Sequence, residues 1–319
     1  MGIFRLFGTI LAEIHNNPDA LHEEKLEILA AKYAPFAYVG NRRSLQSFLK
    51  DSLKYLRSDC IPSEREIEWW YGSRKLTDSG AFPDFVLAWE GLNVPGDGAL
   101  LELKDSASSS IASFNSTLPT AQKALNHLTP AVWKTVQRFE KCFVGEGPLQ
   151  RDCFYFIRTG RSTGSNAILS LVQGTFFETL PTSELLKALW GEVLQETGMP
   201  ANLYQEVLQH LISLTRDDIS RTRHIEKASI RPRLRLMSEI HPDGNPHLYA
   251  EILPGSFNLI MRHPPVEDVA SWLQEVFGVE GLHISFKKQT VRLNDIPLAI
   301  KLIHHKRNGL HLVLQYRIK

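Results

Sequence analysis

The chain has little of what would sort it quickly into a functional class. Cysteine is scarce: Cys60, Cys142 and Cys153 are the only three in 319 residues, an odd number without the paired spacing of a metal site. That argues against a disulfide framework and for an intracellular, reduced protein. Charge interrupts every apolar stretch well before the roughly 18 residues that a membrane span requires. The opening segment, MGIFRLFGTILAEIHNN, is apolar but short and runs into acidic sequence with no small-residue cleavage site, so it reads as a first helix and not as a signal peptide. Net charge is nearly absent as well. Thirty-six Lys and Arg against 35 Asp and Glu leave +1, so a polyanionic partner would have to meet a local basic surface. There is no internal repeat, zinc pattern, phosphate-binding glycine loop, dinucleotide fingerprint or nucleophile elbow.

What is present is a patterned globular chain, 43% hydrophobic and 22% charged, long enough for one large domain or two smaller ones. Residues 4–59 carry apolar residues at three- and four-residue spacing and predict helices. Ser63 with Glu66 matches a capping box, which predicts a short helix in SEREIEWWYG. Two apolar runs follow, FVLAW and ALLELK, joined by a Gly- and Pro-rich connection that reads as a hairpin. A polar segment and a helix over AQKALNHLTPAVWKTVQRFEKCF lead to a third strand, CFYFIRTG, and residues 167–195 return to helical spacing. From residue 236 the texture becomes strand-rich around one helix. The expected architecture is α/β, a mixed central sheet flanked by helices, divided into an N-terminal helical region (1–62), a core (63–235) and a C-terminal α+β subdomain (236–319).

Three charges sit where apolar strands normally exclude them. Asp84 heads the first hairpin strand, and Glu102 and Lys104 lie near the end of the second. Residues two apart on a strand share a face, so Glu102 and Lys104 are neighbours, and the hairpin brings Asp84 to the same end. Paired carboxylates repel unless a cation relieves them. A lysine supplies part of that relief, and Mg²⁺, which favours hard oxygen ligands, supplies the rest. The chemistry this set suits is phosphodiester hydrolysis. The competing reading is charge turned to solvent, since Pro-Asp often begins a turn. Pro242-Asp243 has the proline, the aspartate and a later Glu251 but no lysine to complete the set, and reads as a turn.

Pro83-Asp84, seventeen intervening residues and then Glu102-Leu103-Lys104 resemble the signature of the PD-(D/E)XK nuclease superfamily. SSSIASFNSTLPT and FIRTGRSTGSNAILSLVQGTFFETL resemble segments of its type II restriction endonucleases. The resemblance implies a restriction-endonuclease-like core in which Asp84 and Glu102 bind Mg²⁺ and Lys104 positions or activates the attacking water. It also implies a further acidic residue from the preceding helix, for which Glu68 ranks ahead of Glu64 and Glu66. The implied activity is Mg²⁺-dependent, sequence-specific hydrolysis of double-stranded DNA to 5′-phosphate and 3′-hydroxyl ends. The implied setting is the cytoplasm of a prokaryote, as a homodimer, with a methyltransferase protecting the same site. A structure-specific or repair nuclease and a non-catalytic DNA-binding protein are the alternatives on the same fold.

DNA contacts would come from two places. Ser106, Ser113, Asn115 and Ser116 crowd the segment after the lysine strand, where hydroxyls and amides suit phosphate oxygens and base edges. Between Arg216 and Arg235, six arginines and Lys227 face three acids, with Arg221, Arg223, Arg231, Arg233 and Arg235 as candidate contacts. Lys123, Arg158 and Arg161 could reach the same groove. His304 to Arg307 read as a solvent-exposed turn with no shared metal site, since adjacent strand residues point to opposite faces.

Overall fold

A computed structural model of the protein describes residues 2–18, 37–39, 82–87, 98–114, 119–128, 133, 143–144, 147–160, 167–179, 182–213, 238–266, 268–277, 282–285 and 290–318. The chain divides into two compact units, one of residues 1–113, 119–178 and 239–319, the other of 114–118 and 179–238.

The larger unit is built on a mixed sheet with eleven strands among the described residues. They are β1 (Ala37–Val39), β2 (Phe85–Leu87), β3 (Leu100–Asp105), β4 (Gln122–Ala124), β5 (Gln150–Thr159) and β6 (Ile168–Gln173). The series continues with β7 (Ser256–Arg262), β8 (Leu282–Ser285), β9 (Thr290–Leu293), β10 (Ile296–His305) and β11 (Gly309–Arg317). The spatial order is β1-β2-β3-β5-β6-β7-β11-β10-β9-β8, with β4 pairing onto β5. β3 with β5 and β6 with β7 are parallel pairs. The others along that order are antiparallel.

Paired residues on neighbouring strands point to the same side, so the register sorts every side chain onto one of two faces. One face carries Phe85, Leu101, Phe154, Phe156, Leu169, Leu171, Phe257, Leu259, Leu312 and Leu314, all within the hydrophobic core. Two helices complete that core, α1 (Ile3–Asn16) and a helix over Val269–Phe277. The buried residues of α1 are Ile3, Phe4, Leu6, Phe7, Ile10, Leu11 and Ile14, the spacing of a single helical stripe. Phe7 stacks on Phe257 with centroids 4.7 Å apart, and His15 Nδ1 meets the Tyr316 hydroxyl at 2.9 Å. Each such buried side chain contributes about 1.5–3 kcal/mol relative to exposure. The sharp turn from β9 to β10 falls on Asn294 and Asp295, whose φ of 49° and 65° suit the residue types that best tolerate left-handed backbone.

The expected hairpin of β2 and β3 and the third strand, β5, are present, as are the first helix and the later helix over 269–277. Four segments differ from expectation. Ala37–Val39 is a strand inside a stretch read as helical, because it pairs with β2. Gln122–Ala124 is a strand rather than the start of a helix, because it pairs with Gln150–Asp152. Ile168–Gln173 is a strand because it is buried on both faces, and a run apolar on both sides does not reveal its period. The segment from residue 236, read as a separate subdomain, supplies β7 to β11 of the same sheet. His305 is likewise buried, not part of an exposed turn, and packs edge-on to Phe176 at 4.9 Å.

Among its described residues the smaller unit contains two helices, Thr182–Glu196 and Ala201–Ser213. Gly198, at φ 66°, ends the first, and the Tyr204 hydroxyl of the second donates to the Gly191 carbonyl of the first at 3.4 Å. Among the described residues no helix is long and apolar enough to cross a membrane.

Candidate active site

The second face of the sheet is chemically unlike the first. Phe85 pairs with Leu101 and Val86 with Leu100, so extending the register by one residue sets Asp84 opposite Glu102. Glu102 pairs in turn with Tyr155, and Lys104 with Ile157. Asp84, Glu102 and Lys104 therefore share one face at one end of the hairpin. Asp84 Oδ2 accepts the Leu103 backbone N–H at 2.8 Å, which holds its carboxylate against β3. Lys104 Nζ donates to Glu102 Oε1 at 2.9 Å.

Glu102 is 3% exposed. Taking an ion pair out of water costs about as much as the pairing returns, and a well-packed apolar residue at the same place is often the more stable choice. A buried strand carboxylate answered by lysine is therefore poorly explained by stability. It is well explained by a need for charge at that position.

The wall beside the carboxylates comes from residues 119–124. Thr120 N–H donates to the Tyr155 hydroxyl at 3.3 Å, and Cys153 N–H donates to the Ala121 carbonyl at 2.8 Å. β4 then pairs Lys123 with Arg151. A Cβ at Gly174 would collide with the Thr120 carbonyl, so the segment lies as close to the sheet as glycine permits. Burial pushes the Cys153 thiol up to about 12; the Lys123 ammonium and a Thr120 contact oppose this, and the Asp152 and Glu102 carboxylates reinforce it. Burial likewise holds the Tyr155 phenol well above its ordinary value, again reinforced by Glu102. Neither group is a nucleophile at neutral pH.

The other anticipated residues fall in different surroundings. Ser106 lies in a loop laced to the end of β5: its N–H donates to the Arg158 carbonyl at 2.9 Å and its hydroxyl meets that of Ser108 at 2.8 Å. Ser113 is half-buried. Arg158 lies on the apolar side of the sheet, opposite to Glu102, where it is 3% exposed and makes a two-pronged pair with Asp105 at 3.1 and 3.2 Å. Its guanidinium is thus engaged inside the protein. Lys123 is half-buried, its Nζ 4.3 Å from the centre of the Phe82 ring. Glu64, Glu66, Glu68, Asn115, Ser116, Arg161, Arg221, Arg223, Arg231, Arg233 and Arg235 lie outside the described residues. Pro242–Gly244 forms a short 3-10 turn, and Asp243 pairs with Lys306 at 3.1 Å, in line with its reading as a turn.

A row of buried polar groups on the carboxylate face was not anticipated. Ser170 pairs with Asn258, and Asn258 with Gln315, in adjacent strands. Lys301 Nζ donates to Gln315 Oε1 at 2.6 Å, Gln315 Nε2 to Asn258 Oδ1 at 2.8 Å, and Asn258 Nδ2 to Ser170 Oγ at 3.2 Å. His247 follows, with Nε2 2.7 Å from Ser170 Oγ and Nδ1 2.7 Å from Thr159 Oγ1. Read in that sense, the Ser170 hydroxyl donates to Nε2 and Nδ1–H donates to Thr159. Full burial drives the His247 imidazole down to about 3, so it is neutral at physiological pH. The signal for this row was visible as one polar residue inside each of three apolar strands, in LSLVQ, SFNLI and LVLQY.

Comparison of the chain with protein-family models, with curated proteins and with solved structures finds no match. Among the described residues no group of three or more His, Cys, Asp and Glu side chains gathers as a metal site. Two carboxylates on facing strands remain, and one or two carboxylates with water and substrate phosphate are what Mg²⁺ commonly takes from a protein. The donor set fits that ion.

Proposed function

We propose that the protein is a Mg²⁺-dependent DNA endonuclease, of the type II restriction class that the Pro83-Asp84 and Glu102-Leu103-Lys104 motifs resemble, built on a restriction-endonuclease-like core. The observation that carries this reading is the convergence of Asp84, Glu102 and Lys104 on one face at the end of one hairpin, with the ammonium already hydrogen-bonded to the buried carboxylate.

Asp84 and Glu102 would hold Mg²⁺, which supplies charge stabilisation at a phosphoryl group and a more acidic bound water. Lys104, anchored on Glu102 Oε1, would position or activate the attacking water. Leu103 N–H fixes Asp84, so its carboxylate is oriented before any ligand arrives. Cutting both strands of a symmetric site calls for two such centres, hence a homodimer on duplex DNA. A methyltransferase acting on the same site and a prokaryotic cytoplasm belong to the same reading.

The test is a digest of unmethylated phage DNA by purified protein, with Mg²⁺ or with EDTA, beside Asp84→Ala. Discrete fragments that need Mg²⁺ and vanish in the variant are expected, with cleavage down by roughly a thousandfold or more. Intact DNA in every lane from folded protein would overturn the restriction reading, and cutting of branched DNA alone would replace it with the structure-specific one.

A further inference from the structure

Arg151 is a buried arginine that reaches the strand following Asp84. It is 3% exposed, and its Nη1 donates to the Leu87 carbonyl at 3.1 Å. Alternation along β5 puts Arg151, Cys153 and Tyr155 on one side of the sheet, the side that Glu102 shares through its pairing with Tyr155. Leu100 pairs with Cys153 in a parallel register, so extending it sets Arg151 level with Gly98. Gly98 carries no side chain, which leaves the guanidinium a path across the start of β3 to Leu87. Four residues of chain, about 13 Å when extended, separate that level from Glu102. Arg151 therefore bears on the carboxylate site through β2, at a distance from whatever the carboxylates hold.

β2 is the strand that needs an anchor. It is three residues long, and β1 on its far side is no longer. Among the described residues its register with β3 covers two pairs. Asp84, at its head, is held by the Leu103 N–H at 2.8 Å. Leu87, at its end, donates to the Ala99 carbonyl at 2.9 Å and accepts from Arg151. A buried cation is costly to keep, and a flat guanidinium fixes direction as well as distance, so it suits a joint that must not shift. We propose that Arg151 is a positioning residue of the site: by binding β2 to β5 across β3, it fixes the strand from which Asp84 meets Glu102. The part this plays in catalysis rests on the nuclease reading, whereas the anchoring can be tested without metal or DNA.

Arg151→Met and Arg151→Lys are compared with the parent protein after thermal melts establish that each is folded. Amide hydrogen exchange is followed by NMR at Leu103, whose N–H is held by Asp84, and at Leu259, in the sheet interior between β6 and β11. Arg151→Met should speed exchange at Leu103 about tenfold relative to Leu259, and Arg151→Lys should do so by less. Equal acceleration at both amides would make Arg151 a general stabiliser and overturn the proposal, as would an unchanged Leu103. Single-turnover cleavage with Mg²⁺ and DNA binding with Ca²⁺ are then measured on the same proteins. Arg151→Met should cleave about tenfold to a hundredfold more slowly with DNA affinity changed less than about threefold, and Arg151→Lys should recover part of the rate. A loosened Leu103 with an undiminished rate would overturn the catalytic role. Should Arg151→Met fail to fold, Arg151→Lys carries both comparisons, and parent behaviour in both would overturn the proposal. If the parent protein cleaves no DNA, the nuclease reading falls by itself, and selective loosening of Leu103 would still establish Arg151 as the anchor of β2.

Discussion

The two faces of the sheet are made by the same strands and answer to different demands. On one, Phe154, Phe156, Leu169, Leu171, Phe257 and Leu259 meet the apolar stripe of α1, and nearly every contact is the burial of hydrocarbon. On the other, Glu102, Lys104, Ser170, Asn258, Gln315, His247 and Lys301 form charge pairs and hydrogen bonds under short turns and loops. Hydrocarbon burial is non-directional and tolerant of exchange, whereas buried polar groups are costly unless every partner is in place. The first face is where stability is generated, and the second is where it is given up for fixed geometry.

Substitutions on the two faces should therefore fail differently. Phe7→Ala removes a ring that stacks on Phe257 and leaves a cavity in the apolar core; a loss of about 3–5 kcal/mol in unfolding free energy is expected, read by urea denaturation. On the proposed nuclease reading, cleavage per folded molecule should stay at the parent rate. Asn258→Leu strands the Ser170, Ser256 and Gln315 partners of the polar row, and a loss of about 2–3 kcal/mol is expected despite the greater hydrophobicity of the replacement. Were Asn258→Leu stabilising, the polar face would be no different in kind from the apolar one.

The remaining contrast is one of pH, spread over several units and small within any one of them. His247 is held at about 3 in the folded protein against an ordinary 6.5, so between those values the unfolded chain binds the proton and the folded one does not. Stability contributed by this group is therefore complete above about pH 6.5 and is lost as pH falls, at about 1.4 kcal/mol per unit, down to about pH 3. His311, lowered to about 4, and His305 on the same face add to the slope in the same direction. His247→Gln should flatten the curve between pH 6.5 and 4 while lowering stability at neutral pH, which chemical denaturation at a series of pH values would read out.

The apolar face was the easier one to read in the sequence. The α1 stripe repeats at helical spacing, and β5 announces itself in the run CFYFIRTG. Ile168–Gln173 was less legible because a strand buried on both faces loses its alternation, and Gln122–Ala124 because three residues carry no period. At the site, Asp84, Glu102 and Lys104 were legible because charge inside apolar strands is conspicuous and the hairpin fixes their meeting. Lys123 was noticed as basic, but its neighbours depend on pairing with a strand nearly thirty residues away. Arg158 stood out as basic in the same way and points elsewhere. One position along a strand decides between the two faces, and it falls on the side opposite to Glu102, closed by Asp105.

The helix that opens the described chain and the strand that closes it are neighbours: His15 meets Tyr316 across 301 residues of sequence, and the stripe of α1 rests on residues of β7 and β11. On a ribosome making about 5 to 20 residues per second, that places about 15 to 60 s between the emergence of α1 and of the surface that covers it. Throughout that interval its seven apolar side chains have no native partner on the last strands. Stalled or truncated products lacking β11 would leave part of that apolar stripe without its native cover.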